Sequence, residues 1–172
     1  MNVFLVGPMG SGKSAVGRQL AQRLNLEFID SDAEIEARTG VDIAYIFERE
    51  GEAGFRSREA EVIDALSRRD RVLVSTGGGA ILDASTRERL RARGRVVYLR
   101  TSVDQQLART RRSNDRPLLN NDDPRGTLER LFEQRAPLYT EVAEIVVDTD
   151  GRKVKAVVDQ ICHQLGIDGV EP

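Results

Sequence analysis

The chain has 172 residues, 40% of them apolar and 31% charged, with a net charge of −2, which suits one domain with a real core and leaves no room for a second catalytic module. The near-neutral balance provides no positive field to hold nucleic acid or an acidic membrane surface, so a small-molecule partner is expected. Cys162 and His163 are the only cysteine and histidine, which excludes an internal disulfide, a cysteine-cluster metal site, a histidine-based triad and a multi-histidine zinc site.

Short apolar runs alternate with longer stretches of helical period, the pattern of βα units around a parallel sheet. Strands are expected at 3–6, 27–29, 71–74, 96–99 and 145–147. Helices are expected at 13–24, 32–38, 55–67, 84–93, 103–112, 126–139 and 153–165. No basic start, long apolar stretch or cleavage pattern surrounds Met1, and a cytoplasmic protein is the expectation.

Directly after the first strand, Gly7-Pro8-Met9-Gly10-Ser11-Gly12-Lys13-Ser14 matches G-x-x-x-x-G-K-[ST] and runs into a helix in which Val16, Leu20 and Leu24 repeat at i, i+4 and i+8. Backbone N–H groups of Gly10, Ser11 and Gly12, at a helix start, can close around phosphate oxygens, as can those of Lys13, Ser14 and Ala15. Lys13 is the only lysine in the first 152 residues. It is placed to reach the β- and γ-phosphates of ATP, and the Ser14 hydroxyl to ligate Mg²⁺.

At the end of the second strand, Asp30-Ser31-Asp32 lies where open parallel sheets bind ligands. If the strand continues that far, both carboxylates face one way; one would organise Mg²⁺ through water and the other take or orient an acceptor hydroxyl. The alternative is that one of them merely caps the next helix. Farther on, the strand at 71–74 runs into Ser75-Thr76-Gly77-Gly78-Gly79, either a close backbone approach to a ligand or only a tight turn. Segment 112–124 is polar and rich in turn formers, the composition of a lid, and an arginine such as Arg116 on it can close over phosphates and exclude water. Arg56 and Arg135, in an arginine-rich chain, say nothing alone.

In order and together, the P-loop, Phe28-Ile29-Asp30-Ser31-Asp32, Gly54-Phe55-Arg56, Gly77-Gly78-Gly79, Arg116-Pro117-Leu118-Leu119 and Arg135-Ala136-Pro137-Leu138-Tyr139 resemble shikimate kinase along the whole chain. The resemblance implies a nucleoside-monophosphate-kinase-like α/β/α fold with a five-stranded parallel sheet in order 2-3-1-4-5. It implies one domain over 1–172 that transfers the ATP γ-phosphate to the shikimate 3-hydroxyl, on the route to chorismate, as a monomer. It places Asp32 at the acceptor hydroxyls as candidate base and Asp30 beside Mg²⁺. Arg56 and Arg135, with the Gly78 backbone, would hold the shikimate carboxylate, a task suited to the guanidinium fork. Arg116 would touch both sides of the transfer, and Arg109 and Arg152 would flank the adenine. Ala15 departs from the pattern, standing where the family usually carries a second hydroxyl. Two rivals share the P-loop: a related kinase for gluconate or a nucleoside monophosphate, and a regulatory nucleotide-binding protein without turnover.

Overall fold

The computed structural model describes residues 1–110 and 121–167. Five strands, β1 (Val3–Val6), β2 (Glu27–Asp30), β3 (Val72–Ser75), β4 (Arg95–Arg100) and β5 (Ile145–Asp148), form one sheet in the order β2-β3-β1-β4-β5, with every neighbouring pair parallel. The helices are α1 (Lys13–Leu24), α2 (Ser31–Thr39), α3 (Ile43–Ser67), α4 (Ala84–Arg93), α5 (Val103–Thr110), α6 (Pro124–Val142) and α7 (Val154–Gln164), with a short 3₁₀ turn at Ala80–Leu82.

The central strands are apolar at nearly every position because the sheet is covered on both faces. Successive side chains alternate sides. Val3 and Leu5 of β1 and Val97 and Leu99 of β4 therefore join Val16, Leu20, Val157 and Ile161 of α1 and α7. Phe4, Val6, Val96 and Tyr98 face the opposite cluster, built with Ile35, Phe55, Ile63, Leu90 and Tyr139 from α2, α3, α4 and α6. The α1/α7 layer backs the phosphate loop, and α2, α3 and α6 of the other layer carry Asp32, Arg56 and Arg135.

Strand and helix order agree with expectation, and α1 and α4 begin and end where the periodicity placed them. The main difference is α3. It starts twelve residues before the expected helix at 55–67, with Asp42 as N-cap accepting at Oδ1 from the Tyr45 N–H. Gly51, at φ 70° and ψ −178°, breaks it into two helical arms. The Glu50–Arg58 pair bridges that break with contacts of 2.6 and 3.0 Å. The first arm was missed because Ile43, Ile46 and Phe47 read as an isolated apolar patch once the glycine interrupts the period. Residues 112–120 of the expected lid, Arg116 included, lie outside the described residues. Its far end, Asn121–Pro124, leads into α6, where the Asp123 carboxylate caps the Gly126 N–H at 3.0 Å and proline occupies the first turn.

Leu20 is fully buried between α1 and the sheet. Leu20→Ala is expected to lower stability by about 2–5 kcal/mol through lost burial and the cavity left behind, checked by urea denaturation at constant m-value.

Candidate active site

The residue just before α1, Gly12, is left-handed at φ 89°, and no side chain caps the helix. The first N–H groups of α1 are therefore left to an external acceptor, and the helix dipole favours an anion there. A cleft of about 330 Å³ opens at this point, lined by Met9–Ala15, Asp30, Asp32, Ser75–Gly78, Arg109 and Thr110. Lys13 curls along its own loop, donating from Nζ to the carbonyls of Gly7 at 2.7 Å and Pro8 at 2.8 Å. Arg109 lies across the same loop, donating from Nη1 to the Gly10 carbonyl at 3.0 Å. Beyond it, Arg109 and Arg152 share a second, open cleft with Ser102, Gln105 and Gly151. The two arginines expected to flank a base thus border one space next to the phosphate loop.

β2 ends at Asp30, and Asp32 is already in the first turn of α2. The expectation that a continuing strand aligns the two carboxylates is therefore corrected: helix-cap geometry separates their tasks. Asp30 Oδ1 accepts from the N–H groups of Asp32 at 2.9 Å and Ala33 at 3.1 Å, while Oδ2 receives the Ser14 hydroxyl at 3.3 Å. One side chain both caps the helix and faces the P-loop serine. Ser31, fully buried, ties this corner to the glycine turn by accepting from the Gly77 N–H at 3.1 Å. Among the described residues no group of three or more His, Cys, Asp or Glu side chains could hold a metal ion. The Ser14–Asp30 pair offers hard oxygens to a cation, a set that fits Mg²⁺ held mainly by water and substrate phosphates.

Each of the three glycines after β3 presents its Cα to a different functional group. A Cβ at Gly77 would sit 2.6 Å from Glu59 Oε2 and 2.9 Å from Asp32 Oδ1; at Gly78 it would meet Arg135 Nη1 at 3.5 Å; at Gly79 it would overlap the Arg56 guanidinium. The turn is thus a floor for two carboxylates and two guanidiniums, and it stands beside the P-loop, with Met9 N also 3.5 Å from the Gly78 position. The structure brings Asp32, Arg56, Gly78 and Arg135 together as expected. Arg116 lies outside the described residues.

Three members of the site were not picked out from the sequence: Glu59, Ser31 and Tyr139. Glu59 is 2% exposed and accepts from Arg56 Nη1 at 2.8 Å. The i, i+3 spacing of Arg56 and Glu59 on one helix was the available signal. Tyr139 lies one turn after Arg135 on α6, and its hydroxyl donates to the Gly78 carbonyl at 2.5 Å. Burial pushes the Glu59 carboxyl up to about 7, against the opposing pull of Arg56.

The shikimate kinase family model matches residues 9–166. The chain belongs to the shikimate kinase family. Curated shikimate kinases from Shewanella amazonensis, 56% identical over 165 residues and 96% of both chains, and Alteromonas mediterranea, 55% identical over 166 residues, 96% of this chain and 97% of the relative, are similar to it almost end to end. A solved structure described as shikimate kinase from Acinetobacter baumannii in complex with shikimate superposes with a TM-score of 0.94 at 46% identity, covering 99% of this chain and 95% of that one. In this shikimate kinase family member the glycine turn adjoins both the phosphate loop and the two guanidiniums.

Because the folded Glu59 carboxyl binds its proton more tightly than the ordinary value of 4.5, its contribution to stability is full below about pH 4.5 and is lost as pH rises through about 7. The size is on the order of 3 kcal/mol. The difference in unfolding free energy between wild type and Glu59→Gln is therefore expected to slope across this window and level off outside it, measured by urea denaturation from pH 4.5 to 8.

Proposed function

We propose that the chain transfers the γ-phosphate of ATP to the 3-hydroxyl of shikimate, giving shikimate 3-phosphate and ADP, and that it does so as a single-domain, cytoplasmic monomer. The observation that carries the acceptor assignment is the glycine turn. Two guanidiniums at Gly78 and Gly79 and the Asp32 carboxylate at Gly77 lie side by side next to the P-loop. Such a set suits a small polyol bearing a carboxylate: the arginine forks take the carboxylate, and the aspartate takes a hydroxyl. A nucleoside monophosphate would need a surface for its base, and gluconate has no ring to hold the hydroxyls at fixed distance from its carboxylate. The relative solved with shikimate bound supports the same choice.

The chain's residues divide the work as follows. The backbone of Gly10–Ala15 cradles the phosphates at the start of α1, and Arg109 and Arg152 flank the adenine. Lys13 leaves the Gly7 and Pro8 carbonyls to meet the β- and γ-phosphates, exchanging neutral acceptors for charged ones. Ser14 and, through water, Asp30 hold Mg²⁺, which when bound neutralises charge on the phosphate oxygens. Asp32 orients the acceptor hydroxyl and takes its proton late, since the loose transition state requires little early proton removal. Arg56 and Arg135 hold the acceptor carboxylate against the Gly78 backbone, with Glu59 aligning Arg56. Arg116, assigned by its motif alone, serves as the lid arginine of segment 112–124. Ala15 supplies only its backbone N–H, so the α-phosphate loses the hydroxyl contact usual in the family.

Among the described residues no helix is long and apolar enough to cross a membrane, and the large exposed apolar side chains, Met1, Tyr45 and Phe132, are scattered. Both facts support the cytoplasmic and monomeric parts of the proposal.

ADP release from Mg-ATP is expected with shikimate and not with gluconate, AMP or no acceptor. Lys13→Ala and Asp32→Ala are each expected to reduce the rate by on the order of a hundredfold or more. Turnover with another acceptor alone would overturn the choice of shikimate while leaving the P-loop chemistry in place.

A further inference from the structure

The glycine turn has no side chains with which to hold its own shape, yet it must present the same surface to two guanidiniums. Tyr139 supplies the missing restraint. Its ring is 2% exposed and stacks on Tyr98 of β4 with centroids 4.9 Å apart, so the sheet fixes its body. Its hydroxyl reaches across 61 residues of chain to the Gly78 carbonyl at 2.5 Å. Burial pushes the phenol far above its ordinary value, with the Arg135 guanidinium pulling the other way, so the hydroxyl remains a donor at any working pH.

The peptide that carries this carbonyl joins Gly78 to Gly79 and is planar and trans. Holding its oxygen therefore fixes the plane between two α-carbons, one of which faces Arg135 and the other Arg56. Arg135 itself comes from the same helix as Tyr139, one turn earlier, and is 4% exposed. Helix α6 thus contributes both a guanidinium and the pin for the surface it lies on, while α3 brings the other guanidinium to the same surface.

We propose that Tyr139 is a positioning residue for the acceptor: through the Gly78–Gly79 peptide it sets where the Arg56 and Arg135 guanidiniums stand relative to each other, and so the fit of the acceptor carboxylate. This rests on the acceptor assignment above. It concerns binding of the acceptor, because the Tyr139 hydroxyl bonds the Gly78 carbonyl and, among the described residues, makes no hydrogen bond to the phosphate loop. Tyrosine is required there for its hydroxyl as well as its volume, since phenylalanine would preserve the stack on Tyr98 and leave the Gly78 carbonyl without this donor.

The test is steady-state kinetics of Tyr139→Phe beside wild type, Tyr98→Phe, Arg135→Lys and the Tyr139→Phe/Arg135→Lys double variant, each with a thermal unfolding curve. Tyr139→Phe is expected to raise the KM for shikimate about tenfold, the effect of one buried hydrogen bond, with the KM for ATP and kcat within about twofold of wild type. Tyr98→Phe, which leaves the Gly78 bond intact, is expected to keep the wild-type KM for shikimate. The double variant is expected to raise that KM by less than the product of its single variants, because both act on one carboxylate contact. An unchanged shikimate KM in Tyr139→Phe, with or without a lower Tm, overturns the proposal, as does a purely multiplicative double variant. A wild type that turns over no shikimate sinks the acceptor assignment and this inference with it, whereas a wild type that does so beside an unaltered Tyr139→Phe sinks the role of Tyr139 only.

Discussion

The absence of β-carbons at Gly77 and Gly79, just after β3, is the constraint on which the site depends. Gly77 and Gly79 let Glu59, Asp32 and the Arg56 guanidinium come to the backbone at distances where a Cβ would displace them, while Arg135 lies in ordinary contact with the Gly78 position. Everything around the turn is arranged to exploit and to restrain that openness. Ser31 takes the Gly77 N–H, Tyr139 holds the Gly78 carbonyl, and Thr76, just before the turn, binds the Leu5 carbonyl through both its N–H and its hydroxyl. The turn is thereby tied to β1, α2 and α6 at once, and β1 leads directly into the phosphate loop.

Charge is balanced inside this small space more by neighbours than by water. Glu59 is almost completely buried, and the Arg56 guanidinium at 2.8 Å is its main compensation. A buried carboxylate is costly unless paired, and the upward displacement of its proton affinity expresses that cost. The pair also restricts the guanidinium to one position, an orientation that an arginine on a solvated helix face would not keep. Asp30 uses its two oxygens separately, one for the start of α2 and one for Ser14, so one side chain joins the second βα unit to the phosphate loop.

Sequence and structure divide unevenly over this molecule. The P-loop was legible because its residues are contiguous, and both the loop conformation and its phosphate chemistry follow from backbone geometry at those positions. The strand order followed from the resemblance, and the strands themselves from apolar runs too short for helices. The first arm of α3 was not legible because Gly51 breaks its period. The expected strand alignment of Asp30 and Asp32 does not hold, since β2 ends at Asp30, which caps α2, and Asp32 already lies in the helix.

By itself the sequence determined what is local or repeated along the chain: the phosphate loop, the alternation of strand and helix, the two-sided core and the residue types available to bind an acceptor. The resemblance already named Arg56 and Arg135, and only the tertiary structure decided what holds them. Arg56 and Arg135 are 79 residues apart in number yet meet over adjacent glycines, and Glu59 and Tyr139 enter the site solely because α3 and α6 pack against the same turn. Their significance is a matter of shared position and burial, and one-dimensional spacing carries neither.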